Sequence, residues 1–75
     1  MNSYDPARCA GQALRHLIEK YYSSQEEFSY DFGMDLRTVS RYVNQGINKV
    51  GVIQELAEFF HVSFLDFFST DPSAF

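Results

Sequence analysis

The residues best suited to chemistry lie between positions 36 and 49. Arg37 and Arg41 stand four apart, Thr38, Ser40 and Asn44 accompany them, and Asn48 and Lys49 follow after a short break. If the stretch is helical, four residues make about one turn, so subtracting a core side of Val39, Tyr42 and Val43 leaves one face with two guanidiniums, two hydroxyls and an amide. That set suits a base-pair edge. Arginine donates bidentately to guanine O6 and N7, asparagine to adenine, and serine or threonine to bases or phosphates, while Leu36 could meet only a thymine methyl. Residues 36 to 50 carry Arg37, Arg41 and Lys49 and no acid; the acids cluster instead at Glu26, Glu27, Asp31, Glu55, Glu58 and Asp66. The other reading of the same arginines is a solvated helix face paired with Asp35 or a neighbouring acid.

Other chemistries are poorly provided for. No nucleophile sits beside a base and no glycine-rich phosphate loop exists, so an enzyme is not expected. The single cysteine, Cys9, forms no intramolecular disulfide, and with only His16 and His61 it offers no metal spacing, so neither metal nor cofactor is expected. Cys9 reads as a small core residue, His16 as a polar-side residue of the first helix, and His61 as a helix-closing one. A net charge of −4 and a pI near 4.9 weigh against an extended polyanion-binding surface, leaving only the local positive face.

At 75 residues the chain makes one domain, core about residues 6 to 69, with burial only just enough for an independent fold. The apolar runs are too short for a membrane span and the N-terminus lacks a secretory signal pattern, so a cytoplasmic location is expected. Both prolines, Pro6 and Pro72, stand near the ends. Asp5 and Pro6 can open a first helix with the stripe Ala10, Leu14, Leu17, Ile18, Tyr21. Ser24 and Glu27 form a capping box before Phe28 and Phe32, and Gly33 ends that second helix. Asp35 can cap a third helix from Leu36 to Asn44, stopped by Gln45-Gly46. Ile47-Asn48-Lys49 reads as a loop in which Asn48 caps a fourth helix with Val52, Ile53, Leu56, Phe59 and Phe60 inward, closed by His61. Ser63 and Asp66 suggest a second capping box and a fifth helix carrying Phe64, Leu65, Phe67 and Phe68. The expectation is an all-α, compact bundle of five short helices.

Residues 25 to 44 then read as two helices joined by a tight turn at Gly33, with the small Ser29 permitting close crossing and Phe28, Phe32, Met34, Val39 and Tyr42 holding them together. Ser24-Gln25-Glu26-Glu27-Phe28 resembles the S-Q-E-E-L opening of the lambda repressor and Cro family, the XRE type of helix-turn-helix. Thr38-Val39-Ser40-Arg41-Tyr42 resembles its T-I-S-R-Y, Gly46-Ile47-Asn48 its G-I-N loop, and His61-Val62-Ser63-Phe64 its G-V-S-L, over roughly residues 12 to 68. The resemblance implies a bacterial or phage-encoded, nucleoid-associated transcriptional regulator, a repressor, that binds a palindromic double-stranded DNA operator as a homodimer. By position, Gln25 would touch phosphate, Leu36, Arg37, Thr38 and Ser40 would approach bases, Arg41 and Asn44 would reach base or backbone, and Asn48 and Lys49 would flank the groove. Leu36 stands where lambda repressor carries a base-reading Gln, Asp35 brings a negative charge to the groove, and Ser23 replaces an apolar residue. A protein-binding module of the same fold, antirepressor- or antitoxin-like, is the alternative that the acidity favours.

Phe59, Phe60, Phe64, Phe67, Phe68 and Phe75 exceed what one small core can absorb. The expectation is that some form an exposed apolar patch, with Phe64, Phe67 and Phe68 as a surface for a second copy.

Overall fold

Asp5 and Pro6 open the first helix in the computed structural model, which describes residues 4–69. The Asp5 carboxylate accepts from the Ala7 and Arg8 N–H groups, and α1 runs Pro6–Tyr21. Helix α2 spans Gln25–Phe32, α3 Leu36–Gln45 and α4 Val50–Phe60, and a 3-10 turn, Phe64–Phe68, follows. No strand occurs among the described residues. The all-α expectation holds, but the fifth helix is a 3-10 turn. Ser63 Oγ accepts from Leu65 N–H, while Asp66 N–H goes to the Ser63 carbonyl, an i to i+3 bond that replaces the α-type capping box.

The caps are mostly local chemistry realised as the residue types dictate. Ser24 Oγ accepts from Glu27 N–H at 3.0 Å, and the Glu27 carboxylate accepts from Ser23 N–H at 3.1 Å, one residue earlier than the usual box. Ser24→Ala is therefore expected to cost about 1 kcal/mol in a denaturant titration, and Ser24→Asp to restore most of it. Gly33, at φ 82°, lets α2 end in the left-handed region, its N–H and that of Met34 both donating to the Ser29 carbonyl. Asp35 accepts from Arg37 N–H at 3.0 Å to start α3. The fourth helix departs from expectation: Lys49, not Asn48, holds the N-cap position, without a side-chain cap bond. His61 closes it at φ 59°.

Helix α1 is the central element, packing on α3, α4 and the 3-10 turn. Its Ala10, Ala13, Leu14, Leu17 and Ile18 meet Phe28, Val39, Tyr42, Val43, Ile53, Leu56, Ala57 and Phe67 in one core. Tyr21, expected on the apolar stripe, is 57% exposed, with its ring stacked 6.1 Å from Phe60. Ile47, expected in a loop, is 1% exposed, and its N–H donates to the Ala7 carbonyl. Ser29 is buried and spends its hydroxyl on the Glu26 carbonyl.

The phenylalanines find partners in each other. Phe28 stacks on Phe32 and Phe60 at 5.3 and 5.5 Å, and Phe59 meets Phe32 edge-on at 4.9 Å. Such ring pairs add to area burial and let a small core take up more aromatic surface than a single layer of aliphatics would. Tyr22 joins this cluster, 5.5 Å from Phe28, and its hydroxyl donates to the Asp31 carboxylate at 2.6 Å. Burial first, then the Asp31 hydrogen bond, pushes the phenol from 10.0 up to about 12. The neutral phenol is the favoured form, so its contribution is fully present below about pH 10 and is lost as pH rises towards 12. Spectrophotometric titration is expected to show a tyrosine ionising at about pH 12 that Tyr22→Phe removes; a titration unchanged by that substitution contradicts the assignment.

Candidate nucleic-acid interface

Two glycines bring the ends of α1 and α3 together. At Gly11, in α1, a Cβ would lie 2.4 Å from the Tyr42 carbonyl oxygen and 3.0 Å from Gly46 Cα. Gly46 follows α3 at φ 107°, and a Cβ there would lie 2.7 Å from the Ala7 carbonyl oxygen. The chain can pass only because neither residue carries a side chain. The close approach directs the segment after α3 past the start of α1 and sinks Ile47 into the core. Between these elements lies an open cleft of about 330 Å³ lined by Ala7, Arg41, Tyr42, Gln45, Gly46, Asn48 and Lys49.

Arg41, Asn48 and Lys49 thus share one cleft although they come from two elements. Leu36, Arg37, Arg41, Asn44, Asn48 and Lys49 are exposed, whereas Thr38 and Ser40 are half-buried. Asn44 Nδ2 donates to Ser40 Oγ at 3.3 Å, so these two act as a pair. The Arg41 guanidinium carbon lies 5.8 Å from the Tyr42 ring centroid, an arrangement that supports a cation over an aromatic face. Among the described residues, Arg37, Arg41 and Lys49 form no salt bridge, and Asp35 spends a carboxylate oxygen on its own helix. Arg15, by contrast, pairs with Glu19 at 3.8 Å.

Gln25 stands apart from the cleft. It is half-buried in a separate recess of about 190 Å³ with Arg15, Ile18, Glu19, Tyr22, Ser23 and Ser24. The sequence gives no signal for the part played by α1: Ala7 lines the cleft, and the exposed Arg8 abuts Gly46 through its backbone nitrogen. That proximity arises from packing between residues nearly forty positions apart.

The expected second-copy surface is corrected at one residue. Phe67 is fully buried and belongs to the core of its own chain, since the 3-10 turn folds it under α1 and α4. Phe64 and Phe68 are half-buried, their rings 5.2 Å apart, and Leu65 between them is 74% exposed. Phe75 lies outside the described residues. Cys9 is half-buried, its thiol donating to the Ser69 carbonyl at 3.2 Å, and the Tyr4 hydroxyl donates to the Phe68 carbonyl. These two bonds tie the end of the 3-10 turn to the start of α1.

Among the described residues, no group of three or more His, Cys, Asp or Glu side chains is placed to hold a metal ion. None of the helices there is long and apolar enough to cross a membrane. No protein-family model, curated protein or solved structure matches the chain.

Proposed function

We propose that this protein is a double-stranded DNA-binding transcriptional regulator of the helix-turn-helix kind, a repressor that lays α3 in the major groove. The observation that carries the reading is the exposed, unneutralised cation set Arg37, Arg41 and Lys49, on α3 and the segment after it, in a protein whose net charge is −4. Three of its six Lys and Arg residues stand together there with no salt bridge among the described residues, a local positive face that suits an anionic partner. The exposed Asn44 and Asn48 supply the amides that base or backbone contacts need. Gln25, in its own recess, contributes a phosphate contact at the start of α2.

Three cations neutralise few phosphates, so a single copy binds weakly and two copies on a palindromic site are needed. The second copy meets Phe64, Leu65 and Phe68. Binding measured at increasing salt is expected to fall with a log–log slope of about −3 per half-site, at roughly 0.9 per phosphate neutralised. A native protein that retains no duplex DNA at low salt, even at high concentration, rules the reading out.

The acidic remainder supports a second reading, a protein-binding module of the same fold. An open groove of about 610 Å³ lined by Phe32, Gly33, Met34, Phe59 and the carboxylates of Glu55 and Glu58 would be its contact surface. Substitution of Glu55 and Glu58 by Gln would then affect partner capture and leave DNA retention unchanged.

A further inference from the structure

Charge is divided between the helices of this domain. Helices α2 and α4 carry Glu26, Glu27, Asp31, Glu55 and Glu58 and no lysine or arginine, whereas α3 carries Arg37 and Arg41 and no acid. The open groove of about 610 Å³ lies on the acidic side. Its apolar lining is Phe32, Met34 and Phe59, all half-buried, with the two rings edge-on at 4.9 Å. A Cβ on Gly33 would meet nothing within 4 Å, so the turn at its edge is open to an approaching chain. Glu55 and Glu58 stand on the α4 side, exposed and without a salt bridge among the described residues.

We propose that this groove holds a cationic amphipathic helix of a partner protein; this rests on the protein-binding reading above and names its partner by chemistry. An amphipathic helix presents apolar anchors three and four residues apart on one face, the form in which a helix fills an apolar groove. Met34, unbranched and polarizable, adapts to anchors of different shape. Glu55 and Glu58 are three apart on α4, roughly 5 Å along its axis, so lysines or arginines one turn apart on the incoming helix meet both. An acidic helix is repelled, and a neutral one leaves two carboxylates desolvated without partners. A second copy fits less well: its cations lie on α3, whose Val39, Tyr42 and Val43 are already spent in its own core. The groove shares no lining residue with the cleft of Arg41, Asn48 and Lys49, so it can be tested separately from DNA retention.

The test is selection from a displayed library of randomised helical peptides on the native chain, followed by affinity measurements on the enriched peptides. These are expected to carry two lysines or arginines one turn apart beside an apolar stripe. Glu55→Gln with Glu58→Gln is expected to weaken them about fivefold, the worth of two exposed ion pairs, with the difference lost at high salt. Glu19→Gln with Glu26→Gln makes the same charge change outside the groove and is expected to leave affinity unchanged. Met34→Gln keeps the side-chain length and is expected to weaken every enriched peptide while the far-ultraviolet dichroism stays unchanged. Neutral or acidic enriched peptides that still lose affinity in Met34→Gln overturn the cationic partner, and the groove remains a protein-binding surface. Equal losses in the two glutamate double variants overturn it as non-specific attraction. Self-association of the native chain that Glu55→Gln with Glu58→Gln abolishes makes the occupant a second copy and overturns it too. No enriched peptide, or peptides indifferent to both Met34→Gln and the groove glutamates, overturn the inference together with the protein-binding reading.

Discussion

Replacing Arg37 and Arg41 together by alanine is expected to abolish retention of duplex DNA while leaving the domain folded. Both side chains are exposed, form no salt bridge among the described residues, and sit on the side of α3 opposite Val39, Tyr42 and Val43, which make the core contacts. Removing them leaves no buried polar group unpaired, and alanine is the better helix former; the loss of the Arg41 contact with the Tyr42 ring works the other way, so stability should change by no more than about 1 kcal/mol. Binding should change far more. A guanidinium on a base edge or phosphate is worth roughly 1–3 kcal/mol, so the pair together should weaken binding about a hundredfold or more. Electrophoretic mobility shift at low salt, with circular dichroism and thermal melting on the same samples, reads both quantities. Unchanged DNA retention by a folded double variant would remove α3 from the interface.

Gly46→Ala is expected to destabilise the domain severely. The residue sits at φ 107° and ψ 169°, a region essentially reserved for glycine, which alone costs an alanine about 1–3 kcal/mol. The added Cβ would also lie 2.7 Å from the Ala7 carbonyl oxygen and 2.9 Å from Arg8 nitrogen. Those are backbone atoms of α1, so relief requires moving the helix on which the core is built. A domain this small has roughly 3–5 kcal/mol in total, and a penalty of about 3 kcal/mol or more leaves much of the population unfolded. Gly51→Ala is the matched control, since its Cβ meets nothing within 4 Å on α4 and helix propensity makes it neutral or stabilising by up to about 1 kcal/mol. Denaturant titration of the two variants side by side reads the difference. Equal midpoints would show that the α1–α3 approach tolerates a side chain.

What the amino-acid sequence determined by itself is the local part of this protein. Asp5, Ser24 and Asp35 cap the helices they precede, Gly33 and His61 end the helices they follow, and the apolar spacing marks Leu14, Leu17, Phe28, Val39, Ile53 and Leu56 as core. Each of these follows from hydrogen bonds and periodicities that span four residues or fewer. The types of the side chains on α3 were equally legible, because subtracting the core stripe leaves Arg37, Arg41 and Asn44 outward.

Only the tertiary structure decided the rest. Ile47 lies in the loop, as expected, but is also core, because Gly11 and Gly46 let two backbones touch, which no window of neighbouring residues records. Phe67 turned inward because a 3-10 turn, with three residues per repeat, aims its side chains differently from the α-helix that the Ser63 signal suggested. The same packing joined Arg41 to Asn48 and Lys49 in one cleft and left Gln25 in another. Residue types set what each position can bind, and the approach of α1 to the end of α3 set which positions can bind together.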